Sequence, residues 1–267
     1  MKKQKCHPDS GFSLLEVVVA IVIVTFFTTV TMQMMVISAA FKAKAKDYTT
    51  ATNLIQKDLE LVRSKAVEYE FPLASPTPIT LPNPTASPSP TSMAIPLTSV
   101  DGFDVVASPN QQEVQFEGTA DVYKVVGKVT SPTPVVTISP IMTSQPPSGS
   151  KLINNTLCNN STISTGLAEK LRLKTVTNLA TPSPAPTGNL AGYGSVSGYA
   201  PYTIPNTQKK LWLMRKDTNV NTPPYDVLNI KYLVVKATTD GNPDPNQIVA
   251  KLSTEVIPNA SFQCLKQ

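Results

Sequence analysis

The chain has 267 residues, of which 41% are hydrophobic and only 15% charged, with 25 prolines and a formal net charge of +5. Proline lacks the N–H that helix interiors and central strands use, so this many prolines, mostly beside Ser or Thr, excludes a compact all-helical protein and marks extended linkers. The single histidine, His7, lies near the amino end. Everything after it therefore lacks the imidazole that a Ser/His/Asp triad, a Cys/His pair or a His-ligated zinc site requires.

Chain order begins with a basic stretch, Lys2, Lys3 and Lys5 against Asp9. Between Ser13 and Phe41 the one charged residue is Glu16. The uncharged run from Val17 to Phe41, at about 1.5 Å per residue, spans about 37 Å, enough to cross a hydrocarbon core with some tilt. Basic residues before the run place the amino end in the cytoplasm, while Lys42, Lys44 and Lys46 beyond it reduce the asymmetry. A secretory signal peptide, cut near Ser38-Ala39-Ala40, would have a much shorter apolar region, about 7 to 15 residues. A plain signal anchor has the right length but leaves Glu16 without a reason. A carboxylate near the start of a membrane helix costs up to about 3 kcal/mol unless it reaches the interface or a partner.

Lys2-Lys3, then Gly11-Phe12-Ser13-Leu14-Leu15-Glu16-Val17, then the apolar run, resembles the leader and first helix of type IV prepilins and pseudopilins. The resemblance covers about the first 60 residues. It implies that a prepilin peptidase cuts between Gly11 and Phe12 and methylates the new Phe12 amine. It also implies that Glu16, then the fifth residue of the mature chain, guides assembly by meeting that amine on a neighbouring subunit. Loss of the leader would remove its net +2 and leave about +3. The amino-terminal text and the Thr/Ser-Pro insertions also resemble cyanobacterial pseudopilins linked to hormogonium polysaccharide secretion.

The helix is predicted to continue past the bilayer. Ile55, Leu59, Val62, Ala66 and Tyr69 recur at spacings of four and three, while Lys57, Glu60, Ser64 and Lys65 fall elsewhere, and Pro72 ends the pattern. The expected organisation is a leader over 1–11, a transmembrane and assembly helix over 12–41, the periplasmic half of that helix over 42–71, a Pro/Ser/Thr-rich linker over 72–100, and a β-rich head over 101–267. Low-complexity loops are expected near 131–149 and 181–188. The proline-rich stretches also fit an O-glycosylated stalk. Asn154, Asn159, Asn160 and Asn259 stand in N-x-Ser/Thr triplets, which occur often by chance.

Strand signals are Phe103–Ala107, Glu113–Phe116 and Asp121–Val129 early in the head, and Leu211–Arg215, Val227–Lys236 and Ile248–Ile257 late. Pro223-Pro224 and Asp240-Gly241 separate the last three, so an antiparallel meander is expected there. The fold class is α+β, a long amino-terminal helix packed on one antiparallel sheet. Once the leader with Cys6 is gone, Cys158 and Cys264 remain. An even pair in an exported domain suggests a disulfide, with two buried free thiols as the alternative.

Other chemistry is weak. Asp240, Asn242, Asp244 and Asn246 open like a calcium loop, but the sixth and twelfth places hold Pro245 and Lys251 where Gly and Glu are needed. No nucleotide-binding or nucleophile motif appears, the basic residues form no run suited to nucleic acid, and neither a cofactor, a metal nor an enzyme is expected. The function expected is a minor pilin or pseudopilin of a type IV pilus or type II secretion-like filament. Its partners would be other pilin subunits, the prepilin peptidase, the inner-membrane assembly platform and ATPase, and membrane lipid, with the head in the periplasm. The other function class is a signal-anchored envelope protein whose head binds glycan or a protein partner.

Overall fold

The computed structural model describes residues 13–74, 81, 91–146, 149–158, 166–182, 185–220 and 226–264. The chain forms two compact units, Met1–Thr50 and Ala51–Gln267. Helix α1, Leu14–Glu68, runs for 55 residues. In the first unit its side chains from Leu14 to Lys46 are exposed all round, apart from the half-buried Val30.

The second unit begins with the end of α1. There follow β1 (Met93–Pro96), β2 (Glu113–Phe116), β3 (Val122–Val129), β4 (Val135–Ser139) and β5 (Leu152–Asn154), then α2 (Asn155–Cys158) and α3 (Leu167–Val176). After them come β6 (Leu179–Ala180), a 3-10 turn at Gly188–Leu190, β7 (Gly194–Val196), β8 (Tyr202–Thr203), β9 (Lys210–Asn219), β10 (Leu228–Ala237), β11 (Pro243–Val256) and α4 (Asn259–Gln263).

These strands make two sheets where the sequence predicts one. A five-stranded sheet has the order β1-β4-β3-β2-β5, and a six-stranded sheet the order β11-β10-β9-β7-β6, with β8 paired to β9. The division follows from burial. The first sheet closes its own core around Ile95, Phe103, Val114, Phe116, Val125, Val136 and Ile138. The second packs on α1, whose Ala51, Leu54, Ile55, Leu59, Val62 and Ala66 share a core with Leu171, Leu213, Ile230, Tyr232 and Val234. The predicted helical stripe is thus the buried one, and its last member, Tyr69, joins a smaller core with Phe71, Leu157 and Leu167.

The predicted meander is present. In antiparallel register β10 sets Tyr232 between Arg215 of β9 and Leu252 of β11. The middle of β10, Tyr232 to Val235, is an unbroken apolar run because both faces are covered there: Val234 faces α1, while Leu233 and Val235 pack with Leu190 and Met214 on the reverse side. β11 starts earlier than the sequence suggests, at Pro243. Its place at the sheet edge lets Pro243 and Pro245 lack an N–H without breaking a ladder on that side.

Two proline-rich stretches contribute strands. β1 lies within 72–100, with Met93 and Ile95 buried, and β4 lies within 131–149, with Val136 and Ile138 buried. Short apolar alternations between prolines suffice to add an edge strand and its neighbour. The predicted strand Phe103–Ala107 is absent. Phe103 is fully buried, but the Asp104 N–H donates to the Gln112 side chain and the Phe103 carbonyl accepts from Lys128 Nζ. Side chains thus take the backbone bonds that a ladder would use.

Candidate assembly site at the amino terminus

Helix α1 starts at a Ser-x-x-Glu sequence that forms the first half of a capping box. The N–H of Glu16 bonds the Ser13 carbonyl at 2.9 Å and the Ser13 hydroxyl at 3.4 Å. Glu16 stands in the first turn, where the helix dipole favours a carboxylate. Beyond it the polar side chains are largely disarmed. Thr25, Thr28, Thr29 and Thr31 donate their hydroxyls to the carbonyls of Ile21, Val24, Thr25 and Phe27 at 2.6–2.9 Å. Such bonds remove the cost of placing a hydroxyl in lipid. With a mean hydropathy of 2.4 over its most apolar 18-residue window, this is the one helix among the described residues long and apolar enough to cross a membrane.

That surface includes Leu14, Leu15, Phe26, Phe27, Met35 and Phe41, each about two-thirds exposed or more. A helix apolar on every side is stable only among lipid tails or other helices. Within it Glu16 is the one charge, and among the described residues it has no ion pair.

Of the residues singled out from the sequence, Gly11 and Phe12 lie outside the described residues, as do Asn159 and Asn160. The structure brings Cys158, at the end of α2, and Cys264, just after α4, together as a disulfide with the two Cα atoms 5.6 Å apart. Asn154 is fully buried: its Nδ2 donates to the Gly102 carbonyl and to Gln112, and its Oδ1 accepts the Leu157 N–H. These contacts leave no room for a glycan on Asn154. The acidic repeat from Asp240 to Asn246 forms the β10–β11 turn and the start of β11, where Asp244 accepts the Asn246 N–H at 2.9 Å. Among the described residues no three His, Cys, Asp or Glu side chains converge on a metal position.

The family described as the prokaryotic N-terminal methylation motif matches residues 6–32. The chain carries a type IV prepilin-like amino terminus. No curated protein and no solved structure matches it. The matched segment contains Glu16 and the start of the apolar helix, so the amino terminus is similar to that of pilin- and pseudopilin-type precursors and fits a single-span membrane anchor.

In the head, sequence reasoning missed the polar cluster that fastens α1 to the sheet. Arg215 of β9 and Asp58 of α1 are both fully buried and bonded at 2.9 Å. Arg215 also grips Asp217 through two bonds of 2.9 and 2.8 Å and donates to the Thr175 carbonyl of α3. The Tyr232 hydroxyl donates to Asp58 at 2.7 Å. Burial alone would lower the Arg215 pKa, but the Asp217 and Asp58 carboxylates outweigh it and hold it above the usual guanidinium value. Burial raises Asp217, and Arg215 only partly offsets that. Burial also raises Tyr232, with the Asp58 charge adding to it. The cluster ties α1, α3, β9 and β10 to one another. Its signal in the sequence was faint: Arg215 follows Leu211 and Leu213 at alternate positions, and Asp58 lies between Leu54 and Val62 at a spacing of four.

Proposed function

We propose that this chain is a minor pilin or pseudopilin subunit of a type IV pilus or type II secretion-like filament. A prepilin peptidase cuts between Gly11 and Phe12 and methylates the new amine. The subunit waits in the inner membrane with its head in the periplasm until an assembly platform and its ATPase move it into the filament. Its work is assembly rather than catalysis.

One observation carries this reading. The span is built to sit in lipid, with its threonine hydroxyls bonded to its own backbone, yet it keeps one carboxylate, Glu16, four residues from the amine that cleavage would create. A stabilising cap alone would not need a full charge, since Gln also closes a capping box. A buried carboxylate is tolerated when a cation and further donors meet it. The Phe12 ammonium of a neighbouring subunit supplies that cation only in the assembled state, so the pair also fixes the axial register between subunits.

The test is a Glu16→Ala variant produced beside wild-type subunits. It is expected to be cleaved and methylated normally and to be depleted at least tenfold from sheared filaments. Incorporation at the wild-type level would contradict the reading.

A further inference from the structure

Filament growth requires heterologous contacts, in which two different patches of one subunit are complementary, because a self-complementary patch closes into a dimer and stops. The head carries such a pair of patches on its two sheets.

The first patch is a cleft of about 310 Å³ where β9 begins and β10 ends, lined among the described residues by Gln208, Lys209, Lys210, Lys236, Thr238 and Thr239 and by no carboxylate. One wall is held in place by the Trp212 indole, which donates to the Gly241 carbonyl at 2.9 Å. The second patch is the tip of the β2–β3 hairpin. Glu117, Gly118, Ala120 and Asp121 are exposed there. Gly118 has positive φ, and the place a Cβ would occupy is open. The Thr119 N–H bonds the Phe116 carbonyl at 3.1 Å and the Glu117 N–H bonds the Lys151 carbonyl at 2.9 Å, which fixes the shape of the tip. Among the described residues, Asp121 accepts a 3.4 Å bond from Tyr123.

We propose that the acidic hairpin tip, Glu117 to Asp121, of one copy seats in the lysine-lined cleft of an adjacent copy. The convex element is small, acidic and built on a fixed turn; the concave one is basic and rimmed by Thr hydroxyls and a Gln amide able to bond carboxylate and backbone. Their opposite charge favours the contact. The inference rests on the filament reading above, with copies of this chain adjacent in the filament, and adds which faces of the head meet.

Thr119→Cys and Thr239→Cys are placed on two differently tagged full-length copies in cells with an active prepilin peptidase. Mild oxidation of sheared filaments is expected to give a mixed dimer that neither variant gives alone. Lys210→Glu with Lys236→Glu should cut the dimer at least tenfold, and adding Glu117→Lys with Asp121→Lys to the partner copy should restore it. Unchanged thermal midpoints of these surface variants show that the losses are not unfolding. Filaments that contain both tagged copies without the mixed dimer overturn this inference alone. A chain that is cleaved and methylated but never found in filaments overturns the proposed function and this contact together.

Discussion

A carboxylate at position 16 has two physical duties, and they separate by charge. As part of a helix start it needs only an oxygen near the Ser13 end of α1; as a partner for an ammonium it must be ionised. Glu16→Gln is therefore expected to keep the helix and its membrane insertion while losing incorporation about as far as Glu16→Ala does. Equal incorporation of Gln and wild type would assign Glu16 to capping. In the head the same reasoning applies to Arg215, which holds two buried carboxylates. Arg215→Met should cost about 3–5 kcal/mol in a denaturant titration of the detergent-solubilised chain, because both acids are left buried without a cation. Asp58→Asn should cost less, since an amide oxygen can still accept the Tyr232 hydroxyl. The pH response divides by residue too. Glu169 is bonded by two Arg172 nitrogens and by Asn219, and the Arg172 bonds hold its pKa below the ordinary 4.5. Its contribution is fully present above that value and disappears as pH falls through the lowered one. Glu169→Gln should thus be less stable than wild type at pH 7, with the difference vanishing in acid. Asp217 acts in the opposite sense: its raised pKa means that its burial costs stability as pH rises above 3.8.

At the scale of elements, most regular structure could be read in advance where the period was long or the apolar run unbroken. Helix α1, its buried stripe and the β9–β10–β11 meander follow from spacing alone. What spacing did not reveal was long-range. The Asp58–Arg215 pair joins positions 157 apart, and no local pattern says that an acid within a helical stripe will find an arginine in the middle of a strand. β1 and β4 were hidden because prolines around them read as linker, though each needs only four or five residues once a neighbouring strand supplies its bonds. The Phe103 segment failed the other way, apolar enough for a strand but with its backbone bonded by the Gln112 and Lys128 side chains. The disulfide joins two short helices across a sequence separation of 106. In the chain-entropy view a closed loop of that size is worth about 4.7 kcal/mol. Cys158→Ser with Cys264→Ser should therefore lower the unfolding midpoint of the oxidised protein substantially, and reductant should reproduce the shift in wild type but not in the variant.

For the whole molecule, two compact units divide the labour. The first is a helix whose surface requires lipid or other helices, and the second holds four apolar cores. The amino-terminal site was readable because Glu16 is conspicuous against an uncharged run. The lysine cleft was not, because Lys209, Lys210 and Lys236 meet only when β9 and β10 pair. All of the function argued above depends on a new amine at Phe12 standing one turn from Glu16. The most direct measurement is intact-mass and peptide mass spectrometry of the amino terminus, on protein recovered from cells with an active prepilin peptidase. The account predicts a chain beginning at N-methylated Phe12; a chain that still begins at Met1 in those cells would contradict it.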